Sequence, residues 1–319
     1  MSCKLITRQF DSDTALVLES EARMIKVDGQ EVSFSKFPNG ETLVDTEILN
    51  KTESGCRIDF KWEKDEDILY LYFVLSHLTA RTPSIRNKKI YIWYMPYSRM
   101  DRSQNGNCFT LKYVCELIEG ATYNDDEFFI VEPHSDKTLE LLDFSERINA
   151  ITPLMQKICS IENIDVICYP DKGAKARFCD DKVDLPVVYC EKVRDFDTGE
   201  IKGLELKSDI DLGGKNVLIL DDLCSKGGTF YYTAKKLKEN GVKDVFLGVC
   251  HMENTVMQGE LLEELDMPFK SLIQHIYCFN TMLNKFREDY IKSTFGNITI
   301  YNIEKFLKEG EVVDVSEVC

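Results

Sequence analysis

The chain has 319 residues, 44% hydrophobic and 29% charged, which is long enough for two ordinary domains with buried cores and excludes a disordered or fibrous protein. Acidic residues outnumber basic ones by 55 to 39, and the resulting formal charge of -16 opposes nonspecific attraction to nucleic acid or an anionic membrane surface. An anionic substrate therefore needs a local basic pocket.

The N-terminal MSCKLITRQF has no long apolar core behind its basic residues, and the longest apolar run, ILYLYFVL at 68 to 75, is too short to span a bilayer, so the expectation is a cytoplasmic protein. Twelve cysteines are scattered without CxxC spacing, and several sit inside apolar runs, as Cys168, Cys190 and Cys250 do. Reduced thiols acting as small core residues are expected, with neither a disulfide framework nor a zinc site.

In chain order, FSKFPNGETLV places a proline and an Asn-Gly turn between two apolar segments. The polar run at 50 to 67, NKTESGCRIDFKWEKDED, reads as an exposed loop or hairpin. IYIWYM at 90 to 95 reads as a buried strand, and in FTLKYVCELIEG the residues Leu111, Val114, Cys115 and Ile118 share one helical face ahead of a stop at Gly120. EFFIVE at 127 to 132 is a further strand, and the break before ITPLMQ predicts domains over 1–148 and 149–319. DVICY, PVVYC, NVLIL and VFLGVC follow as buried strands, with TFYYTAKKLKENG as an amphipathic helix and EGEVVDVSEVC as a last strand or a tail. This alternation predicts two doubly wound α/β domains with parallel sheets, whose ligands bind beyond the carboxyl ends of the strands.

The polar residues after those runs are thus the functional candidates. In NVLILDDLCSKGGTF, small residues at a strand-to-helix turn let backbone N–H groups close around an anion, and the helix adds its positive end. The spacing is not that of the nucleoside-triphosphate loop. Asp221 and Asp222 can accept hydrogen bonds from the vicinal hydroxyls of a sugar, so a ribose phosphate fits both features.

The DDxxxxGGT pattern resembles the ribose-phosphate motif of type I phosphoribosyltransferases and of ribose-phosphate diphosphokinases, or PRPP synthetases. The diphosphokinases match more of the chain: FPNGE (Phe37 to Glu41) is similar to their FxDGE, PYSRMDR (Pro96 to Arg102) to PYxRQDR, and EPH (Glu132 to His134) to DLH. YPDKGAKAR (Tyr169 to Arg177) is similar to SPDxGxxxR, and EKVR (Glu191 to Arg194) to the catalytic-loop KxR. Each motif alone is weak, and their common order makes them strong.

The resemblance implies adenine near Phe37, Asn39 and Glu41, with Arg99 and Asp101 against the adenosine and its phosphates. It implies Mg²⁺ at His134 and Asp171, and catalytic Lys192 and Arg194 on a mobile loop that closes over the transferring group. Asp221, Asp222, Ser225, Lys226, Gly227, Gly228 and Thr229 would hold the ribose phosphate. ATP and a ribose phosphate are the implied small-molecule substrates, with neither nucleic acid nor membrane as partner, in a homo-oligomer, either dimer or hexamer. His77, His251 and His275 are read as structural.

Where the family reads DTAGT this chain has SKGGT, which makes the cradle more cationic and roomier. Plain ribose 5-phosphate and a larger ester such as ADP-ribose stay open as acceptors. Met100 and Asn39 also depart from the family pattern on the nucleotide side. A phosphoribosyltransferase and a catalytically silent regulatory subunit are the competing readings.

Overall fold

A computed structural model describes residues 24–81, 83–103, 106–179, 184–194, 201–259, 261–262 and 272–309. The first half forms β1 (Met24–Val27), β2 (Gln30–Glu31), β3 (Phe34–Lys36), β4 (Thr42–Val44), α1 (Glu47–Lys51), β5 (Arg57–Lys61), α2 (Glu66–Ala80), β6 (Lys89–Ile92), α3 (Thr110–Glu119), β7 (Glu127–Val131), α4 (Lys137–Leu141) and β8 (Ser145–Ile148). The second forms α5 (Ile151–Ile161), β9 (Val166–Tyr169), α6 (Lys172–Phe178), β10 (Val187–Arg194), β11 (Ile201–Lys207), β12 (Asn216–Cys224), α7 (Gly228–Glu239), β13 (Asp244–Met252), a 3-10 turn (Asn254–Gln258), β14 (His275–Phe279), α8 (Lys285–Thr294), β15 (Ile298–Tyr301) and α9 (Ile303–Glu309).

Two sheets segregate along the chain, in the orders β2-β1-β5-β6-β7-β8 and β11-β10-β9-β12-β13-β14-β15. From β5 to β8 in the first sheet and from β10 to β15 in the second the neighbours are parallel, as the continuous apolar runs predicted, while β2 and β1 at one edge of the first and β11 at one edge of the second run antiparallel. Because the first sheet ends at Ile148 and α5 opens the second half, we propose the domain boundary at 148/149.

A third apolar cluster joins the halves: Trp93 and Val131 from the first pack with Leu154, Leu218, Phe246 and Phe279 from the second. Two polar contacts support it, Lys61 Nζ donating to the Leu283 carbonyl at 2.5 Å and Lys26 pairing with Glu304 at 3.4 Å.

Two expectations change. The run at 50 to 67 is not an exposed loop, because it contains β5, an inner strand with Asp59 and Lys61 buried. Its charges disguised it: Arg57 pairs with Asp59 at 2.7 Å, and the Lys61 ammonium is spent on a backbone carbonyl. NVLIL is the start of a longer strand that runs through Asp221 and Asp222 to Cys224. The run ILYLYFVL lies in α2, and among the described residues no helix is long and apolar enough to cross a membrane. The ten described cysteines are unpaired and seven are buried, as expected for core thiols. EGEVVDVSEVC lies outside the described residues except for Glu309, and the whole of MSCKLITRQF lies outside them.

Lys88 and Asp126, both fully buried, pair at 2.7 Å, and Asp126 also accepts from the backbone N–H groups of Lys88 and Tyr123. Removing one charge strands the other in a medium that solvates it poorly. Asp126→Asn should therefore lower the unfolding free energy in urea by about 3–5 kcal/mol, and adding Lys88→Met should recover most of that loss. Equal losses in the single and double variants would show that the charge pair is not the cause.

Candidate active site

Both halves end strands at one place. After β6 the chain turns through PYSRMDR, with Tyr97 at φ 61, and after β7 it turns through EPH, with Glu132 at φ 39. These left-handed conformations are uncommon for residues with a Cβ and persist only where surrounding contacts hold them. For Glu132 those contacts are explicit. Its buried carboxylate accepts from the N–H groups of Ala150 and Ile151 at 2.8 and 3.0 Å, at the start of α5, and pairs with Arg147 at 3.3 Å. Burial pushes its pKa up, against the two N–H groups and Arg147. Its carbonyl meets Nε2 of the buried His251 at 3.2 Å.

Two residues beyond Glu132, His134 Nδ1 lies 2.6 Å from Asp222 Oδ2. Arg177, from α6, donates to the His134 carbonyl, reaches Asp222 at 3.1 Å and Asp221 at 3.4 Å, and passes 3.2 Å from His134 Nδ1. Burial disfavours the charged form of Asp222, but the His134 hydrogen bond and the Arg177 guanidinium outweigh it and hold that carboxyl below its usual range. Asp221 moves the other way, raised by burial and by the adjacent Asp222 charge. An ionised carboxylate only accepts, so the Nδ1 atom must carry the proton it gives to Asp222. The Arg177 proton then goes to the carbonyl, and the Nε2 lone pair of the half-exposed imidazole is left for a ligand.

That arrangement can offer one nitrogen to a divalent cation. A histidine whose far nitrogen is fixed by a carboxylate is a common metal-ligand geometry, and Mg²⁺ needs few protein donors because substrate phosphates and water complete its shell. Among the described residues no group of three or more His, Cys, Asp or Glu converges to hold a metal alone. The second implied ligand, Asp171, caps α6 by accepting from the Ala174 N–H at 2.9 Å.

The SKGGT segment forms the turn into α7. Gly227, at φ 82, is its N-cap, and a Cβ there would lie 2.5 Å from that of Leu261. A Cβ at Gly259 would lie 1.8 Å from the Lys226 carbonyl oxygen. The turn is thus pressed against the chain that follows β13, which fixes the N–H groups at the start of α7. Lys226 and Thr229 are exposed, and Gly228 faces open space.

Ser225 Oγ meets Thr255 Oγ1 at 3.1 Å, and Thr255 donates to Glu253 at 2.8 Å. Glu253 pairs with Arg99 at 2.7 Å. Asp101 instead pairs with Arg102, at 3.0 Å. Phe37, Asn39 and Glu41 form the tip of the β3–β4 hairpin, closed by the Phe37 N–H to the Glu41 carbonyl at 2.9 Å and by Asn39 Oδ1 accepting from the Glu41 N–H. No bond joins that tip to the other site residues among the described contacts. Lys192 and Arg194 lie on β10, paired with Leu204 and Ile201 of β11, so the backbone there is an antiparallel arm rather than a loop. Their side chains and residues 195–200 lie outside what is described.

The structure thus gathers His134, Asp221 and Asp222 around Arg177 and links Arg99 to Ser225 through Glu253 and Thr255. His251 is buried against Thr281 and the Glu132 carbonyl, as read from the sequence, whereas Arg177, Glu253 and Thr255 are residues that sequence reading missed. Arg177 closes YPDKGAKAR, so the signal was in the quoted motif. Glu253 and Thr255 follow a strand as the other motifs do, but lie in none of the segments quoted for the resemblance. Beside Arg177 lies a polar cavity of about 340 Å³, also lined by Arg147, Asn149 and Thr152.

No family model matches the chain. It is 31% identical over 226 residues to the ribose-phosphate pyrophosphokinase of Pyrococcus furiosus, covering 69% of this chain and 77% of that protein. It is 28% identical over 241 residues to that of Saccharolobus solfataricus, covering 73% and 80%. The phosphoribosylpyrophosphate synthetase of Mycobacterium smegmatis superimposes with a TM-score of 0.66 over 87% of this chain and 88% of that one; at 19% identity this likeness shows the fold.

The hydrogen-bond logic at His134 can be read directly. Long-range ¹H–¹⁵N spectra of the neutral ring should show the proton on Nδ1. In Asp222→Ala the Nδ1 atom becomes free to accept from Arg177, so the proton should move to Nε2. An unchanged tautomer in the variant would mean that Asp222 does not set it.

Proposed function

The chain belongs to the ribose-phosphate pyrophosphokinase family, and on that premise we propose that it transfers the β,γ-pyrophosphoryl group of ATP to the anomeric C1 hydroxyl of a ribose phosphate. The observation that carries this reading is the meeting of the EPH, YPDKGAKAR and DDLCSKGGT segments through His134, Arg177 and Asp222, with PYSRMDR joined to the same turn through Arg99, Glu253, Thr255 and Ser225. The C1 oxygen forms a bond to the β-phosphorus. The bridge to the α-phosphate breaks at that phosphorus, AMP leaves with the bridging oxygen, and the hydroxyl proton passes to solvent.

Such a reaction asks the protein mainly for alignment and for cationic donors against charge on nonbridging oxygens. In this proposal Arg99, Asp101 and the tip residues Phe37, Asn39 and Glu41 serve the nucleotide, and Lys192 and Arg194 on the β10–β11 arm serve the transferring group. His134 Nε2 and Asp171 would hold Mg²⁺, whose chemistry is to neutralise and orient the phosphates. Asp221, less occupied than Asp222, accepts from ribose hydroxyls, while Ser225 through Thr229 take the phosphate. A homo-oligomer belongs to the proposal, since Phe37 and Leu43 of the β3–β4 hairpin are half exposed.

Ribose 5-phosphate is the first acceptor to expect. The exposed Lys226 beside the open space at Gly228 favours a second, an ester such as ADP-ribose that brings a further phosphate to the turn.

Purified protein with ATP and Mg²⁺ should release AMP with ribose 5-phosphate or with ADP-ribose, and the sugar product should gain the mass of a diphosphate. Silence with both acceptors overturns the reading. Lys192→Ala with Arg194→Ala should cut kcat by about 10²–10³-fold or more, the cost of lost transition-state donors. Unchanged AMP release in that variant removes the arm from the mechanism. Lys226→Ala should lower kcat/KM for ADP-ribose more than for ribose 5-phosphate, and equal losses would leave Lys226 without a role in acceptor choice.

A further inference from the structure

Glu253 and Thr255 belong to none of the motifs that carry the family resemblance, yet they join two of them. Glu253 follows β13, where its N–H donates to the Cys224 carbonyl at 2.8 Å and so locks the end of β13 to the end of β12. Its Oε1 takes Nη2 of Arg99 at 2.7 Å, from PYSRMDR in the first half, and its Oε2 takes the hydroxyl of Thr255 at 2.8 Å. Thr255 in turn meets Ser225, the first residue of SKGGT, at 3.1 Å.

The direction of the protons along this chain is fixed. A carboxylate only accepts, so the Thr255 proton is committed to Glu253, and the Ser225 hydroxyl must be the donor to Thr255. Glu253 is therefore the terminal acceptor that orients a residue of each half. The Glu253 side chain is 12% exposed against 51% for Arg99, so the carboxylate is the fixed member and the guanidinium keeps outward N–H groups for a ligand. Neither the Arg99 guanidinium nor the Ser225 hydroxyl has another hydrogen-bond partner among the described contacts.

We propose that Glu253 is a positioning residue that couples the nucleotide side to the ribose-phosphate turn, through Arg99 on one flank and through Thr255 and Ser225 on the other, so that filling either site tightens the other. The inference rests on the pyrophosphokinase reading, because it needs a ligand at each end. Its physical basis is shared ordering. Whichever ligand binds first fixes the Arg99–Glu253–Thr255–Ser225 chain, and the second binds to groups whose freedom is already lost. Such coupling is reciprocal and is measured as one ratio of dissociation constants.

The experiment is calorimetric titration of the full chain with ribose 5-phosphate, with and without saturating β,γ-methylene-ATP and Mg²⁺, then the reverse order, with ADP-ribose as a parallel arm. In the wild type and in Thr255→Ser, which keeps the hydroxyl, each ligand should tighten the other by about fivefold or more, and in Glu253→Gln and Thr255→Val the ratio should fall below about twofold. A purely structural role for Thr255 would not separate its serine from its valine variant. A wild-type ratio near one overturns the proposal without recourse to any variant. So does a ratio retained in both Glu253→Gln and Thr255→Val. If neither acceptor nor the nucleotide analogue binds alone, the pyrophosphokinase reading falls and the coupling falls with it; if both bind alone without coupling, only the relay is lost.

Discussion

Much of this molecule hangs on the burial of one carboxylate. Glu132 sits between the two sheets with almost no exposure, and its three sets of contacts each reach a different element. The side chain takes the first N–H groups of α5, where the helix dipole favours negative charge, and Arg147 supplies the countercharge. The carbonyl meets His251 on β13. A buried charge without such partners would cost several kcal/mol, so the contacts constrain the backbone strongly enough to hold it at a left-handed φ. That turn sets the direction of the next residues and delivers His134 to Asp222.

A second constraint follows from placing two acids side by side at the end of β12. Adjacent carboxylates in a poorly solvating site cannot both ionise cheaply. Arg177 and His134 resolve the conflict unequally: Asp222 receives both and stays ionised, while Asp221 is pushed toward its neutral form. The inequality divides labour. Asp222 becomes a fixed part of the scaffold that orients an imidazole, and Asp221 keeps capacity for a ligand.

The SKGGT turn owes its shape to residues distant in the chain. Gly227 accepts a left-handed conformation that a side chain would resist, and Gly259 lets the Lys226 carbonyl approach where a methyl group would collide. The same following segment carries Glu253 and Thr255. The turn and the interdomain ion pair are therefore built on one piece of backbone, and the two ligand sites proposed here share a support.

The sequence alone determined the class of fold, because buried parallel strands read as continuous apolar runs and their order was legible in NVLIL, VFLGVC and the others. It also named the candidate segments, since ligands gather beyond strand ends and the polar segments there follow a family pattern. Charge hid β5, whose Asp59 and Lys61 look like surface residues until their partners are known. Only the tertiary structure could pair Glu132 with α5, Arg177 with the two acids, and Arg99 with Glu253. The physical reason is separation. Periodicity and spacing report which face of an element is apolar, whereas an ion pair between residues 154 positions apart depends on how two sheets dock, and no local pattern records that.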